Sequence, residues 1–322
     1  FFSLMWLKKI DYQKLNKPVW AFGAVGIVVI LLIAIALVDS QHRWIRFPGG
    51  FNLQASEFAK PALVVFLAFF LVMRNGDVNN RFTLMPVGLT LAATVAMVVI
   101  GDYGTAFVIV APMAVLLVVS GLKMRYIAGA LGLVVFLSAT VIAIKPYRLA
   151  RVVLFYDSER QHIATLPWIR DQIAKVAPDF DANYQSRQSV GAVGSGGVLG
   201  VGPGQSKQKL QFLPEPHNDY IFAVIGEELG LWGCLGVVFG FLIILWRGVR
   251  LFWIASDDFG RYIALGVTTS IVVQAFLNMT VALDMVPSKG LPLPLISSGG
   301  SSLLATMASL GLLLSVSDRA VE

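Results

Sequence analysis

Ionisable side chains inside or beside long apolar runs are the residues of this sequence best suited to chemistry. In a membrane such groups cost several kcal/mol unless they are paired or hydrated, so each is a candidate site. Glu57 and Lys60 stand three residues apart at one end of an apolar run, where one face of a helix brings them together. They predict either a structural ion pair or the lining of an outward-facing polar cavity.

Two aspartates stand where apolar runs begin. Asp102 lies in a short break between two runs and is followed by Gly104. Asp219 follows two prolines that hold the chain extended, and His217 precedes it by two residues. Each aspartate can be an N-cap that accepts hydrogen bonds from the first N–H groups of a helix. A functional polar site is the alternative for each.

Two more polar pairs fall within apolar runs. A regular helix rises about 1.5 Å per residue, so Glu227 and Glu228 are expected about 12 Å beyond Asp219, well inside a membrane. Adjacent helical residues cannot both face one partner, which predicts that at least one of these acids lines a polar interior. Gln274 and Asn278 are one turn apart and can form hydrogen bonds between helices.

A glycine-rich segment precedes Asp219. Seven glycines lie within residues 191–204, and Ser206, Lys207 and Lys209 follow them. The spacing does not fit a Walker phosphate loop, and Leu199 occupies the third glycine position of a dinucleotide fingerprint. The segment therefore predicts flexible backbone that can approach a ligand closely beside two cations.

Residues 285–301 form a second unusual segment, which contains Lys289 and Ser297. It is too apolar for an ordinary wet loop and too rich in proline for a helix. It predicts a re-entrant segment, which a membrane tolerates only where the backbone is buried in protein or lines a cavity.

The composition places these residues in a membrane protein. Of 322 residues, 57% are hydrophobic and 14% are charged, far from the average of soluble domains. The net charge of +6 does not indicate nucleic acid, because the basic residues fall between apolar runs and form no basic face. The single cysteine, Cys234, excludes an intramolecular disulfide. HExxH, paired CxxC and GxSxG motifs are missing, so a structural zinc site and a serine triad have no support.

Eight apolar segments qualify or nearly qualify as membrane-spanning helices, each of which needs about 20 mainly apolar residues. The last of them is short. Residues 1–18 contain a further apolar stub followed by lysines, which is interpreted as the end of a truncated span and a cytoplasmic loop. The predicted spans are 19–38, 58–73, 82–100, 103–122, 126–144, 221–246, 262–283 and 302–316.

Lysine and arginine in the short connections predict the orientation. Twelve lie on one side and three on the other, so the side with twelve, which includes the C-terminus, is assigned to the cytoplasm. Five spans then form an N-terminal membrane part, 19–145, and three form a C-terminal part, 219–322. Residues 146–218 make a large extracytoplasmic loop, which at this length is expected to be functional. Apolar residues within 163–176 recur at helical spacing, as in a helix lying at the membrane interface or packed on the bundle.

These motifs together resemble the SEDS family of bacterial cell-wall glycosyltransferases, and its division branch (FtsW) more closely than its elongation branch (RodA). The similarity runs through nearly the whole chain. The first and strongest signature comprises Tyr184-Gln185, Gln188-Ser189, Gly194-Ser195-Gly196-Gly197, Gly200-Val201-Gly202, Gln208-Lys209, Leu213-Pro214-Glu215, His217, Asp219 and the run from Ile221 to Gly230. The second is Lys289-Gly290-Leu291-Pro292-Leu293-Pro294 with Gly299-Gly300-Ser301-Ser302. The third is Gln54, Ser56, Glu57 and Lys60, and a looser fourth is Asp102-Tyr103-Gly104-Thr105.

The resemblance implies an all-α polytopic helical bundle of ten spans, of which eight are complete here. Ser298, Gly101 and Tyr220 depart from the residues usual in the family, and residues 158–183 form a longer segment than expected, without an implied role. The implied activity is an inverting polymerisation of lipid II, a disaccharide-pentapeptide on an undecaprenyl pyrophosphate carrier.

The resemblance also implies roles for particular residues. Asp219 matches the family's outer aspartate and is expected to be the general base that takes the proton of the attacking sugar hydroxyl. Lys60, Lys209, Lys289 or a divalent cation (Mg or Mn) is expected to stabilise the leaving diphosphate. Polar-cavity or structural roles are expected for Asp102, Glu227, Glu228, Gln274 and Asn278, and substrate-binding roles for Glu57, Lys60, Gln188, Ser189, Lys209, His217, Lys289 and Ser297.

The implied setting is septal cell-wall synthesis at the outer face of the bacterial cytoplasmic membrane. The implied partners are lipid II, a class B penicillin-binding protein that crosslinks the new glycan, and other membrane proteins of the division complex. Two other classes of function stay open. One is a lipid II transporter that uses Glu227, Glu228, Gln274 and Asn278 as a polar path, although no inverted repeat supports it. The other is a non-catalytic scaffold for the penicillin-binding protein.

Overall fold

The chain is almost entirely helical in the described residues, and the prediction of an all-α polytopic membrane protein is confirmed. The computed structural model describes residues 2–38, 45–46, 52–74, 77–130, 132, 184–206, 218–286 and 290–320. Strands β1 (Ile45–Arg46) and β2 (Asn52–Leu53) pair antiparallel. A 3-10 helix spans Tyr12–Leu15, and residues 124–130 are helical. The other helices are α1 (Phe2–Lys9), α2 (Pro18–Val38), α3 (Ala55–Met73), α4 (Arg81–Gly101), α5 (Tyr103–Val119), α6 (Tyr184–Gly196), α7 (Ile221–Ile254), α8 (Asp258–Ala282) and α9 (Gly300–Ala320).

Six of the described helices are long and apolar enough to cross a membrane: α2, α3, α4, α7, α8 and α9. They correspond to six of the eight predicted spans. The predicted span 103–122 is a shorter apolar helix, Gly104–Val119. Most of the predicted span 126–144 lies outside the described residues, as does the predicted helix within 163–176.

The last span is longer than the sequence indicates. The segment 302–316 looks short because its final turn is polar, whereas α9 has 21 residues. That final turn is held by ion pairs with the first helix and the turn after it. Lys8 Nζ lies 3.3 Å from Asp318 Oδ2, and Arg319 Nε lies 3.4 Å from Asp11 Oδ1. Charged residues therefore extend the helix beyond its apolar part.

The chain divides into two compact units. The first comprises residues 1–123, 237–276 and 291–322, and the second comprises residues 124–236 and 277–290. In the first unit, α3 is buried on nearly every side, as expected of a helix that is apolar all round. Phe66 of α3 is fully buried, and its ring meets that of Phe22 of α2 edge to face at 5.5 Å.

Hydrogen bonds join the first residues of the first unit to the start of α8 and to α9. Tyr12 is fully buried and donates a hydrogen bond from its hydroxyl to Asp257 Oδ1. The Ser315 hydroxyl donates to the Ile10 carbonyl at 2.6 Å and accepts from the Tyr12 N–H at 3.3 Å. Burial, followed by the hydrogen bond to Asp257, raises the pKa of Tyr12 above its ordinary value.

Candidate functional site

Asp219 lies just before α7 in the second unit, and its backbone is held by the neighbouring helix. The helix begins at Ile221, and the carbonyl of Tyr220 accepts hydrogen bonds from the N–H groups of Ala223 and Val224. Tyr220 therefore takes the backbone N-cap position, and Asp219 stands one residue before it. Asn278 of α8 donates from Nδ2 to the carbonyl oxygen of Asp219 at 2.8 Å. The half-buried aspartate is thus held at the N-terminal end of a helix long enough to span a membrane.

Contacts around Asp219 join the start of α7 to the end of α8. Tyr220 and Val281, each 3% exposed, pack together. Ser189 of α6 is fully buried and donates from its hydroxyl to the Ala282 carbonyl at 2.6 Å. That bond satisfies one of the carbonyls that the end of a helix leaves without an intrahelical partner. Gln188, the neighbour of Ser189, is half-buried. The substrate-binding roles of Gln188 and Ser189 stay predictions.

The glycine-rich segment packs closely against α7 at two of its glycines. Its first part belongs to α6, which continues to Gly196, and the rest turns to run against α7. A Cβ atom at Gly196 would stand 2.0 Å from the carbonyl oxygen of Gly226, and one at Gly200 would stand 2.2 Å from that of Glu228. Gly196 and Gly200 therefore permit backbone to touch backbone, whereas Gly191, Gly194 and Gly197 have open space beside them. The close approach of this segment to a ligand stays a prediction.

The adjacent acids of α7 have different surroundings. Glu227 is 3% exposed and accepts a hydrogen bond from the Ser206 hydroxyl at 2.5 Å. Glu228 is half-buried. The sequence contains no signal that pairs Ser206 with Glu227, because the two residues are separated by 21 positions and only the glycine-mediated approach brings them together.

Glu57, Lys60 and Gln274 form a buried hydrogen-bonded cluster in the first unit. Glu57 is 0% and Lys60 is 6% exposed, and Lys60 Nζ stands 2.8 Å from Glu57 Oε2. Lys60 Nζ also donates to Gln274 Oε1 at 2.5 Å, and Gln274 Nε2 donates to the carbonyl of Pro292 at 2.9 Å. The pair is electrically balanced and hydrogen-bonded, which a charge away from water requires. The ion pair expected from the three-residue spacing is present.

Two polar atoms at this cluster have no hydrogen-bond partner in the part of the chain that is described. They are Gln54 Nε2, a donor, and Glu57 Oε1, an acceptor. Gln54 is 3% exposed, and its backbone N–H donates to the Ser301 hydroxyl at 3.1 Å. An unmatched buried donor and acceptor at one end of α3 are complementary to a polar group such as a water molecule or a hydroxyl.

The part of segment 285–301 that is described is non-helical until α9 begins at Gly300, and within it residues 291–294 and Ser297 are buried. The Ser297 hydroxyl accepts from the Leu293 N–H at 2.7 Å, and the Ser297 N–H donates to the Leu293 carbonyl at 3.0 Å. Leu291 packs against Gly104, where a Cβ atom would be 3.0 Å from the leucine side chain. Ser297 therefore closes a buried turn. Its substrate-binding role and the re-entry of this segment into the membrane stay predictions.

Asp102 acts as the N-cap of α5. Its Oδ1 accepts from the N–H groups of Gly104 at 2.8 Å and Thr105 at 3.3 Å, and its Oδ2 accepts from the Thr105 hydroxyl at 2.9 Å. Of the two interpretations of Asp102, the structural one is observed.

Three predicted site residues, Lys209, His217 and Lys289, lie outside the described residues. Within the described ranges, no three His, Cys, Asp or Glu side chains come together as a metal site would require. A divalent cation near Asp219 stays a prediction, and the proposed reaction is derived from the residues of the chain alone.

The chain matches a known protein family over its whole length. Residues 1–322 match the FtsW/RodA/SpoVE family, described as "Cell cycle protein". A protein of Geobacter metallireducens named "Probable peptidoglycan glycosyltransferase FtsW" is 36% identical over an alignment of 322 positions, which covers 97% of this chain and 80% of that protein. A protein of Halorhodospira halophila with the same name is 38% identical over 304 residues, covering 92% of this chain and 72% of that protein.

Solved structures share the fold. A chain from "Structural coordination of polymerization and crosslinking by a peptidoglycan synthase complex" superposes with a TM-score of 0.76 at 24% identity, covering 100% of this chain and 87% of that chain. The rod shape determining protein RodA of Thermus thermophilus superposes with a TM-score of 0.66 at 22% identity, covering 100% of this chain and 84% of that chain.

Proposed function

Because this chain belongs to the FtsW/RodA/SpoVE family of cell cycle proteins, we propose that it is a division-type peptidoglycan glycosyltransferase. It polymerises lipid II into glycan strands at the outer face of the cytoplasmic membrane during septal cell-wall synthesis. The observation that carries this proposal is the match of all 322 residues to the family, together with relatives at 36% and 38% identity that are named as probable peptidoglycan glycosyltransferases.

The proposed reaction joins two lipid-linked saccharides. The C4 hydroxyl oxygen of one molecule forms a bond to the anomeric carbon of the other, and the bond from that carbon to the pyrophosphate oxygen breaks. Attack from the face opposite the leaving group inverts the anomeric configuration. The hydroxyl proton passes to the carboxylate of Asp219, and undecaprenyl pyrophosphate leaves with the bonding electron pair.

Three features of Asp219 support its role as the base. It precedes a span-length helix, as expected of a residue at the level where a sugar held by a membrane anchor meets water. It is only half-buried, so a substrate can approach it. Its backbone is fixed by Asn278, which reduces the motion that the carboxylate must lose before proton transfer.

Lys60 and Glu57 are proposed to shape the donor cavity. The charge of Lys60 is already balanced by Glu57, and its ammonium group also donates to Gln274. A diphosphate would therefore compete with Glu57 for this ammonium group, and separating a buried ion pair is costly. Lys209 and Lys289 are therefore the stronger candidates to stabilise the charge that develops on the leaving diphosphate.

The protein is proposed to work with a class B penicillin-binding protein that crosslinks the new glycan, and with other membrane proteins of the division complex. We propose that its C-terminus is cytoplasmic and its active face is outside, because the short connections and the C-terminal tail carry twelve Lys and Arg on one side and three on the other. This orientation puts Asp219 on the side where the crosslinking partner's substrate is made.

Reconstitution with labelled lipid II tests the proposed function. The full-length protein is placed in liposomes with its penicillin-binding partner, and products are separated by gel electrophoresis. Labelled glycan polymer is the expected result. Movement of label between leaflets without polymer would instead identify a transporter, and neither product would leave the scaffold function.

A further inference from the structure

Helix α7 is broken at Gly230, and another segment of the same unit repairs the break. Gly230 has φ 65° and ψ −155°, which are not helical values. In a regular helix the Leu231 N–H would donate to the Glu227 carbonyl. Here that N–H donates to the carbonyl of Gly197 at 3.0 Å, and the Glu227 carbonyl accepts from the Val201 N–H at 3.0 Å.

A third backbone bond completes the repair, because the Glu228 carbonyl accepts from the Gly202 N–H at 3.0 Å. We call residues 197–202 and the hydrogen bonds they make with residues 227–231 the glycine seal. An unpaired carbonyl inside a membrane costs several kcal/mol, so a break at this place in a spanning helix needs such partners. The hydrogen bond from Ser206 to Glu227 adds a side-chain tie at the end of the seal.

The first part of α7 is therefore a short rigid rod held at both ends. The glycine seal holds the end near Gly230, and the bond from Asn278 holds the backbone of Asp219 at the other. The rod is about 15 Å long at 1.5 Å per residue. A tilt of about 5° at the break would move Asp219 by about 1 Å, and a misplacement of that size can cost about 100-fold in rate.

We infer that the glycine seal and its Ser206–Glu227 hydrogen bond position Asp219 for proton transfer. This inference rests on the proposed function. Ser206 and Glu227 are positioning residues, because they act through the orientation of the rod and not on the substrate. The glycine-rich segment then orients the helix that carries Asp219. This role differs from the ligand-binding role that the composition of the segment suggests.

Ser206→Ala tests the inference by removing the donor of the tie. We expect kcat for lipid II polymerisation to fall about tenfold while KM changes less than twofold, since the base is displaced but the substrate contacts remain. Glu227→Gln retains an oxygen acceptor and is expected to keep kcat within threefold. Ser195→Ala is the matched control, because the Ser195 hydroxyl donates to the Ala192 carbonyl of its own helix at 2.8 Å.

Hydrogen–deuterium exchange of the same full-length proteins in nanodiscs gives a readout that does not depend on activity. In Ser206→Ala, exchange should accelerate at the amides of Val201, Gly202 and Leu231 and spread to residues 221–226. Gly200→Ala, whose Cβ would stand 2.2 Å from the Glu228 carbonyl oxygen, should show the same pattern, and Gly191→Ala, which has open space, should not.

The possible results separate the inference from the proposed function. Faster exchange with unchanged kcat would overturn the positioning role, as would a loss of activity in Glu227→Gln equal to that in Ser206→Ala. Unchanged exchange in Ser206→Ala would show that the tie does not hold the seal and would also overturn the inference. Failure of the unaltered protein to make polymer would contradict the proposed function and leave the exchange result intact.

Discussion

Asn278 donates a 2.8 Å hydrogen bond from its side-chain Nδ2 to the backbone carbonyl oxygen of Asp219. The two residues are 59 positions apart and lie on α8 and just before α7. The bond uses the backbone of the aspartate, so it determines where the residue stands without consuming an acceptor of its carboxylate. Together with the packing of Tyr220 on Val281, it fixes the entrance of one spanning helix against the end of another.

Asn278→Ala is expected to lower kcat for polymerisation about tenfold, because the backbone of the aspartate loses the bond that anchors it to α8. Stability should fall by about 1 kcal/mol, since a part-buried carbonyl loses this donor. Thr280→Ala on the same helix is the control, because the Thr280 hydroxyl donates to the Leu277 carbonyl of its own helix at 2.9 Å. Initial rates and thermal unfolding curves measure both effects. Equal kcat in the two variants would contradict the anchoring role.

Lys60→Met is expected to destabilise the protein by about 3 to 5 kcal/mol, because it leaves Glu57 charged and buried without its partner. The double variant Glu57→Gln with Lys60→Met should recover much of the loss, since no charge is then left unpaired. Thermal unfolding in nanodiscs measures the difference. If Lys60→Met unfolds at the temperature of the unaltered protein, the pair is not buried as the structure has it.

Alkaline pH should destabilise the protein through Tyr12. Burial and the hydrogen bond to Asp257 raise the pKa of Tyr12 in the folded state above its value in the unfolded chain. The stabilisation is therefore complete below the unfolded pKa of about 10 and is lost as the pH rises through the folded pKa. Tyr12→Phe should remove this alkaline loss while costing about 1 kcal/mol at neutral pH. Unfolding temperatures measured from pH 7 to 11 would refute this if both proteins declined in parallel.

Gly248→Ala should destabilise the first unit by about 1 to 3 kcal/mol through overpacking. A Cβ atom at Gly248 would stand 1.9 Å from the Thr268 hydroxyl oxygen, where α7 and α8 pack closely. Gly240→Ala is the control on the same helix, because no atom lies within 4 Å of its added Cβ. Comparison of the two unfolding temperatures is decisive, and a smaller loss in Gly248→Ala than in the control would exclude the close packing.

Local features of the sequence were sufficient for much of the fold and for part of the site. Apolar runs of membrane-crossing length located six spans, the spacing of Glu57 and Lys60 indicated their ion pair, and Asp102 before Gly104 indicated an N-cap. Each of these depends on neighbours within four residues or on average composition. The polar end of α9 was missed because its helix is completed by ion pairs with Lys8 and Asp11, which are remote in sequence.

The glycine-rich segment shows why the rest could not be predicted. Glycine permits both flexible backbone and close approach of two backbones, and the sequence does not distinguish these. The contacts of Gly196 with Gly226 and of Gly200 with Glu228 join positions about thirty residues apart. The hydrogen bond between Asn278 and Asp219 joins residues that are 59 positions apart in the sequence. Such pairings depend on how helices pack, which a single sequence does not reveal.

Asp219→Asn tests the proposed mechanism most directly. Asparagine has nearly the same shape, so the backbone bond from Asn278 and the fold should persist, but the amide cannot accept the hydroxyl proton. Asp258→Asn, which alters an exposed acid paired with Arg261 at 3.0 Å, is the control. With purified full-length protein, its penicillin-binding partner and labelled lipid II, we expect no glycan polymer from Asp219→Asn and normal polymer from the control. Polymer from Asp219→Asn at the rate of the unaltered protein would contradict the assignment of Asp219 as the base.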